Sequence, residues 1–367
     1  TGYRTVIFAL LMAKEFVYRL ELDGQLVDGR EDMTRLTGYE IASRLSYHFW
    51  GSMPDDELFE TAGLTADDPR SVLNPVGYRA QVDRLYDLAR PGRARAVTTR
   101  FFTQWLDLDH VAIPHQSLAD DPAALQAEMV DEVVALTDYL TWIQDGGYSD
   151  LMLTTLSFAQ GQLAQIYGVD AWAGGGADPV PLPPGERVGL LTRGAFLTTG
   201  GERQNAMLRG AHVYRKILCG QLDVPDPDDV DGALAPPSWT ASKSTRQSYE
   251  GTTEQGDCAG CHSIINPLGF AFEHFDAVGR FQETEHLSDA TGDFVHPIDA
   301  NTHHILYRGD DTTTENGIEF SQHIADSGAG AACMVRSYFR FALGRAEDRD
   351  VDGCILEELR QQVSGAD

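Results

Sequence analysis

Cys258-Ala259-Gly260-Cys261-His262 constrains this chain more than any other stretch. Two thiols separated by two residues, followed at once by an imidazole, form the attachment sequence for c-type haem. Each thiol adds to one vinyl group of the porphyrin, and the next residue brings its imidazole under the iron as proximal ligand. The motif therefore predicts one covalent haem, held by Cys258, Cys261 and His262. The fold expected around it is a loop-rich, helical, cytochrome c-like haem domain. The competing reading is half of a zinc site, since two thiolates and an imidazole also suit zinc. Zinc needs a fourth ligand, and no second Cys-x-x-Cys or His-x-x-x-His pair occurs in the sequence.

The rest of the chain reads as mainly α, an N-terminal helical domain followed by the haem domain. Residues 3–20 predict a helix with Val6, Leu10, Phe16 and Leu20 buried. Ile41, Leu45 and Phe49 recur at helical spacing, and Pro54-Asp55-Asp56-Glu57 has the composition of a first turn. Val82, Leu85, Tyr86 and Ala89 mark another helical face; Val97, Phe101, Trp105 and Leu108 mark the next. Asp121-Pro122 predicts a cap and first residue for a long helix through Met129, Val133, Leu136, Leu140 and Ile143. Ser149 opens a last helix through Leu153, Leu156, Leu163 and Ile166. We therefore expect an α-helical domain over 1–168 and a Gly/Pro-rich linker over 169–186. The haem-binding segment then covers 187–283, and a C-terminal helical segment over 284–367 completes its domain. Within these, the Asp- and Pro-rich residues 223–237 predict an extended connector and 284–320 a loop-rich region.

Acidic residues number 56 against 28 basic, a formal charge of −28. Such a surface repels nucleic acid and anionic membranes, and it could attract a basic redox partner protein. The longest early apolar run, Val6 to Ala13, is too short to span a bilayer, so no transmembrane segment is expected. Thioether attachment is made outside the cytoplasm. The expected location is accordingly periplasmic, extracellular or at the cell surface, with the sequence beginning after a leader.

Several stretches carry a resemblance. Tyr39-Glu40-Ile41-Ala42-Ser43-Arg44-Leu45-Ser46-Tyr47 with Trp50 and Pro54-Asp55 resembles the helical domain of the secreted planctomycete- and myxobacterium-type c-type cytochromes. This is a family built of consecutive domains of unknown function. Arg187-Val188-Gly189-Leu190-Leu191-Thr192 with Arg209-Gly210 resembles its next domain. The run from Cys258 to Arg280 is similar to its haem segment, and Tyr338 to Arg345 to its closing domain. The resemblance implies an extracytoplasmic haem protein. Many relatives place a histidine six residues before the first haem cysteine, where this chain has Thr252.

Other candidates follow from chemistry. A thioether is the common sixth ligand of electron-transfer haem, which nominates Met334 or Met207; His303, His304 and His274 are histidine alternatives. Phe270, Phe272, Phe275 and Phe281, with Pro267 in the same run, could wall a macrocycle and exclude water. Arg280 and Arg209 suit haem propionates by bidentate geometry, or structural ion pairs. Cys333 and Cys354 lie outside the motif beside two adjacent helices and predict a disulfide, leaving Cys219 as a buried thiol. Asp348-Arg349-Asp350-Val351-Asp352-Gly353 opens like a calcium loop, but its twelfth position is Leu359 where a glutamate is expected; a solvated acidic turn is the alternative. Electron transfer is the function expected first. A haem-dependent oxidoreductase of peroxidase or oxygenase type, and a polymer-binding scaffold with accessory haem, are the alternatives.

Overall fold

The structure, a computed structural model, describes residues 2–18, 20–86, 92–222, 239–254 and 258–365. The connector expected over 223–237 and Ala89 lie outside the described residues. Mainly helical architecture is what the sequence periodicity calls for, and the chain divides into two units, Thr1–Arg100 and Phe101–Asp367.

In the first unit, α1 (Gly2–Leu11) and α2 (Lys14–Val17) replace the single helix expected over 3–20. Val6, Leu10, Phe16 and Leu20 are exposed rather than buried. The unit's core is built elsewhere, which leaves this apolar face out of it. A hairpin of β1 (Gln25–Val27) and β2 (Arg30–Arg35) leads to α3 (Gly38–Trp50). Thr37 and Glu40 exchange hydrogen bonds across the first turn of α3, and Gly51 closes it in the left-handed conformation. Asp55 caps α4 (Asp56–Ala62), and Asn74 with Pro75 opens α5 (Pro75–Leu85). Leu45, Leu58, Val72 and Leu85 form the core where these three helices meet, with Ile41 and Phe49 packed against it. The helix α6 follows over Gly92–Trp105.

In the second unit, Asp121 and Pro122 open α7 (Pro122–Tyr139) as expected. The helix predicted from Ser149 to Ile166 is instead broken into α8 (Tyr148–Leu153), β3 (Leu156–Ser157) and α9 (Gly161–Tyr167). Two interactions win over helical propensity there. The buried Ser157 hydroxyl donates to Glu132 Oε1 at 3.0 Å, and β3 pairs with β4 (Val180–Pro181). Residues 169–186 are thereby held against the helices by backbone bonds such as Trp172 N to Ala159 O at 2.8 Å and Leu182 N to Thr155 O at 2.7 Å. One core continues across this stretch, combining Leu125, Val133 and Leu136 with Leu190, Phe272, Phe275 and Phe320.

Three fully buried arginines tie residues 187–209 into that core. Arg187 donates to Thr192 O and Gly279 O, while Arg193 donates to Gly189 O and Leu156 O and pairs with Glu132 at 2.7 Å. Arg209 donates to the carbonyls of Leu197, Phe272, Phe275 and Asp276 and to Gln204 Oε1. Each guanidinium satisfies several buried carbonyls that would otherwise lack donors. The segment also carries α10 (Gly194–Leu197) and α11 (Ala206–His212), followed by a π-helical turn at Val213–Ile217. Then come α12 (Thr245–Thr253) and α13 (Cys258–Phe270). Helices α11 and α13 approach backbone to backbone. A methyl group on Gly210 would collide with Ile265 O, and one on Gly269 with Ala206 O.

The polar region 284–320, expected to be loop-rich, contains a hairpin of β5 (Thr284–Asp289) and β6 (Gly292–Pro297) and a short pair of β7 (Thr302–His303) and β8 (Thr313–Thr314). Helices α14 (Gly317–Ser327), α15 (Ala329–Leu343) and α16 (Arg349–Val363) close the chain. The disulfide is Cys219–Cys333, not Cys333–Cys354. Cys333 points inward from α15, whereas Cys354 lies exposed on α16 as a free thiol. Cys219 follows the π-helical turn, which brings its Cα within 5.3 Å of that of Cys333. The calcium-like stretch is the start of α16: Asp348 caps the helix and Asp352 binds Arg345 at 2.7 Å.

Buried Glu273 gives the fold a pH dependence. Gln204 Nε2 donates to its Oε2 at 2.6 Å, while Oε1 has no partner among the described residues, and burial pushes its carboxyl up to about 8. The native state therefore holds a proton that the unfolded chain, with an ordinary carboxyl near 4.5, releases earlier. Stability is unaffected by this group below the unfolded value and falls as pH climbs through the native one. Urea unfolding at pH 5 and 8.5 should show a loss on the order of 3 kcal/mol, allowing for relaxation around the new charge. Glu273→Gln should flatten that slope; an unchanged slope would assign it to other groups.

Candidate functional site

The motif occupies the first turns of α13, with Cys258, Cys261 and His262 all partly exposed. The His262 side chain lines a cleft of about 410 Å3 between α12, α13 and β7, together with Arg246, Asn266, Pro267, Phe270 and His303. Thr302 anchors β7 to α13 by donating to Pro267 O at 2.9 Å.

Side-chain bookkeeping fixes the tautomer of His262. The Thr253 hydroxyl donates to Tyr249 O at 2.8 Å, so its oxygen is left to accept from Asn266 Nδ2 at 2.7 Å. The Asn266 amide must then turn its carbonyl, Oδ1, to His262 Nδ1 at 2.9 Å. Nδ1 carries the proton, and the Nε2 lone pair remains for a metal. A helical neighbour thus orients the His262 ring and leaves Nε2 as its open donor. Among the described residues no three His, Cys, Asp or Glu side chains converge as a metal-ligand group.

The other expected site residues divide sharply. Pro267 and Phe270 line the cleft. Phe272 and Phe275 are buried in the main core with Phe281 packed on it, and none of the three lines the cleft. Arg209 spends its donors on buried carbonyls and cannot serve a propionate. Arg280 pairs with Asp276 at 2.8 Å and borders a different surface hollow. Neither methionine lines the cleft: Met334 packs on the main core, and Met207 on a small cluster of Ala206, Tyr249 and Phe270. Both methionines are partly buried at those positions. His274 is engaged with Gln282 O and stacked on Phe281. His304 is buried against Phe320, and burial lowers it to about 4. His303 is the histidine besides His262 on the cleft wall.

Two contributors escaped sequence reading. Arg246 lies over the Phe270 ring at 4.6 Å, is held by Glu250 at 2.7 Å, and donates to Asp299 O and Asn301 O. Nothing in its local sequence distinguishes it from a surface arginine of α12. Asn266 does have a signal: it stands four residues after His262, one helical turn on.

Two family models match the chain. PSD4, a protein of unknown function (DUF1592), matches residues 36–169, and PSCyt3, a protein of unknown function (DUF1588), matches residues 187–285. No curated protein and no solved structure matches. The chain thus carries two consecutive domains of unknown function, and the second contains the whole motif helix together with the cleft wall from Arg246 to Phe270.

Proposed function

We propose that this is an extracytoplasmic c-type cytochrome, carrying one haem bound through Cys258 and Cys261 for electron transfer to a partner protein. The observation that carries the reading is His262, which lines the cleft with its Nδ1 held by Asn266 and its Nε2 left open, one turn or less along α13 from two unpaired cysteines. Bound there, haem would supply a one-electron couple between ferric and ferrous iron. Asn266 would hold the His262 ring in place and raise its basicity through the Nδ1 hydrogen bond. Phe270 and Pro267 offer apolar surface. Arg246 lines the cleft and, with Nε and Nη1 already serving Glu250, Asp299 O and Asn301 O, would have Nη2 to offer a propionate. His303, on the same cleft wall as His262, replaces the methionines as the candidate second protein ligand. An oxidising compartment is supported by the Cys219–Cys333 bond. No helix among the described residues is long and apolar enough to cross a membrane.

The denatured protein, expressed with haem-attachment machinery, should keep its pigment through acid-acetone extraction, and Cys258→Ser/Cys261→Ser should lose it. Extractable pigment, or zinc without iron on metal analysis, would end the proposal. Carbon monoxide separates electron transfer from oxygen or peroxide chemistry. Ferrous wild type should bind it slowly and His303→Ala quickly; fast binding by wild type would favour the haem oxidoreductase.

A further inference from the structure

A second cleft in the Phe101–Asp367 unit shares no residue with the first. It holds about 480 Å3 and is lined by Arg215, Lys216, Arg336 and Arg340 together with Trp105 and Phe341. Four cations around one hollow are out of keeping with a chain of net charge −28. Their neutralisation is incomplete. A single carboxylate, Glu347, serves both Arg336 at 2.7 Å and Arg340 at 2.6 Å, and Asp107 serves Lys216 at 3.1 Å. Arg215 is exposed and has no ion-pair partner among the described residues.

The backbone around this cleft is irregular in three ways. Arg215 and Lys216 stand on the π-helical turn Val213–Ile217. Cys219 holds a φ of 52°, a left-handed conformation unusual outside glycine. Gly220 packs so close to the Tyr214 ring that no side chain would fit. Turns and strain of this kind cost stability and collect where function holds them. The Cys219–Cys333 bond then fastens this turn to α15, which carries Arg336 and Arg340. The two cation-bearing elements are covalently fixed against each other.

We propose that this cleft binds a small organic anion bearing carboxylate or phosphate groups, with its carbon skeleton against Trp105 and Phe341. A small ligand is favoured over an acidic protein or polymer by screening. Charges beyond about 8 Å are largely screened at physiological salt. A small anion therefore samples the local cations, whereas a large acidic partner would meet the whole −28 surface.

The test is calorimetric titration of the full chain with citrate and with inorganic phosphate as probes. Saturable binding of either is expected, and the preferred probe identifies the headgroup. Arg215→Glu should weaken it at least about tenfold. Arg308→Glu, at an exposed arginine outside the cleft, changes net charge equally and should leave affinity unaltered. Absence of saturable binding by both probes, wild-type affinity in Arg215→Glu, or equal weakening by the two variants would each overturn the assignment.

Discussion

Replacing Arg193 with methionine should destabilise the protein by about 3–5 kcal/mol, because it strands a buried carboxylate. Both partners of the Arg193–Glu132 pair have fully buried side chains, with 0% exposure on each side. Glu132 also accepts from Ser157 at 3.0 Å and from the Tyr167 hydroxyl at 2.7 Å, and Tyr167 in turn accepts from Gly194 N. Arg193 reaches Gly189 O and Leu156 O as well, so α7, β3, α9 and the start of α10 all meet at this pair. Methionine matches the volume but supplies no charge and no donor. The chain must then leave Glu132 ionised without its partner, or protonate it. Urea unfolding measures the loss. Replacing both residues, Arg193→Met with Glu132→Leu, should recover part of it, since removing both charges relieves the desolvation cost. A single variant within about 1 kcal/mol of wild type would show that the hydroxyl donors alone hold the carboxylate.

Breaking the disulfide should have the second large effect. Cys219 and Cys333 are 114 positions apart, and closing a loop of that size restricts the unfolded chain by about 4–5 kcal/mol in the chain-entropy model. Cys333→Ser should lose most of that. Cys354→Ser, at an exposed free thiol, should stay within about 0.5 kcal/mol of wild type. Peptide mapping without reduction should recover the Cys219–Cys333 pair; a Cys333–Cys354 peptide would refute the assignment.

Both effects rest on long-range pairings, and these are what sequence inspection missed. Local signals were readable: Asp121-Pro122 opens α7, and Ile41, Leu45 and Phe49 face the first unit's core. The Ser149 to Ile166 helix failed because the partners that break it, Glu132 and Val180–Pro181, lie about two dozen residues away on either side. Cys354 looked the better partner for Cys333 because it is near in sequence; helix phase turns it to solvent. At the candidate site His262 and Phe270, both singled out in the sequence, do line one cleft. Arg209 and Arg280 were attractive for their chemistry, but a guanidinium serves buried carbonyls as well as it serves carboxylates. Arg246 reaches the cleft only because α12 lies beside α13, and no pattern in the sequence announces that packing.

The 114-residue covalent loop also has a mechanical meaning. It encloses α12, α13, the β5–β6 hairpin, the β7–β8 pair and α14, and therefore every residue lining the motif cleft. Tension applied to the two ends of the chain passes across the sulfur–sulfur bond and bypasses that loop. Roughly 400 Å of extended backbone is withheld from any pull. Once the flanking helices are stripped from a chain held at both ends, the loop that carries the His262 cleft bears no backbone tension until the bond is reduced.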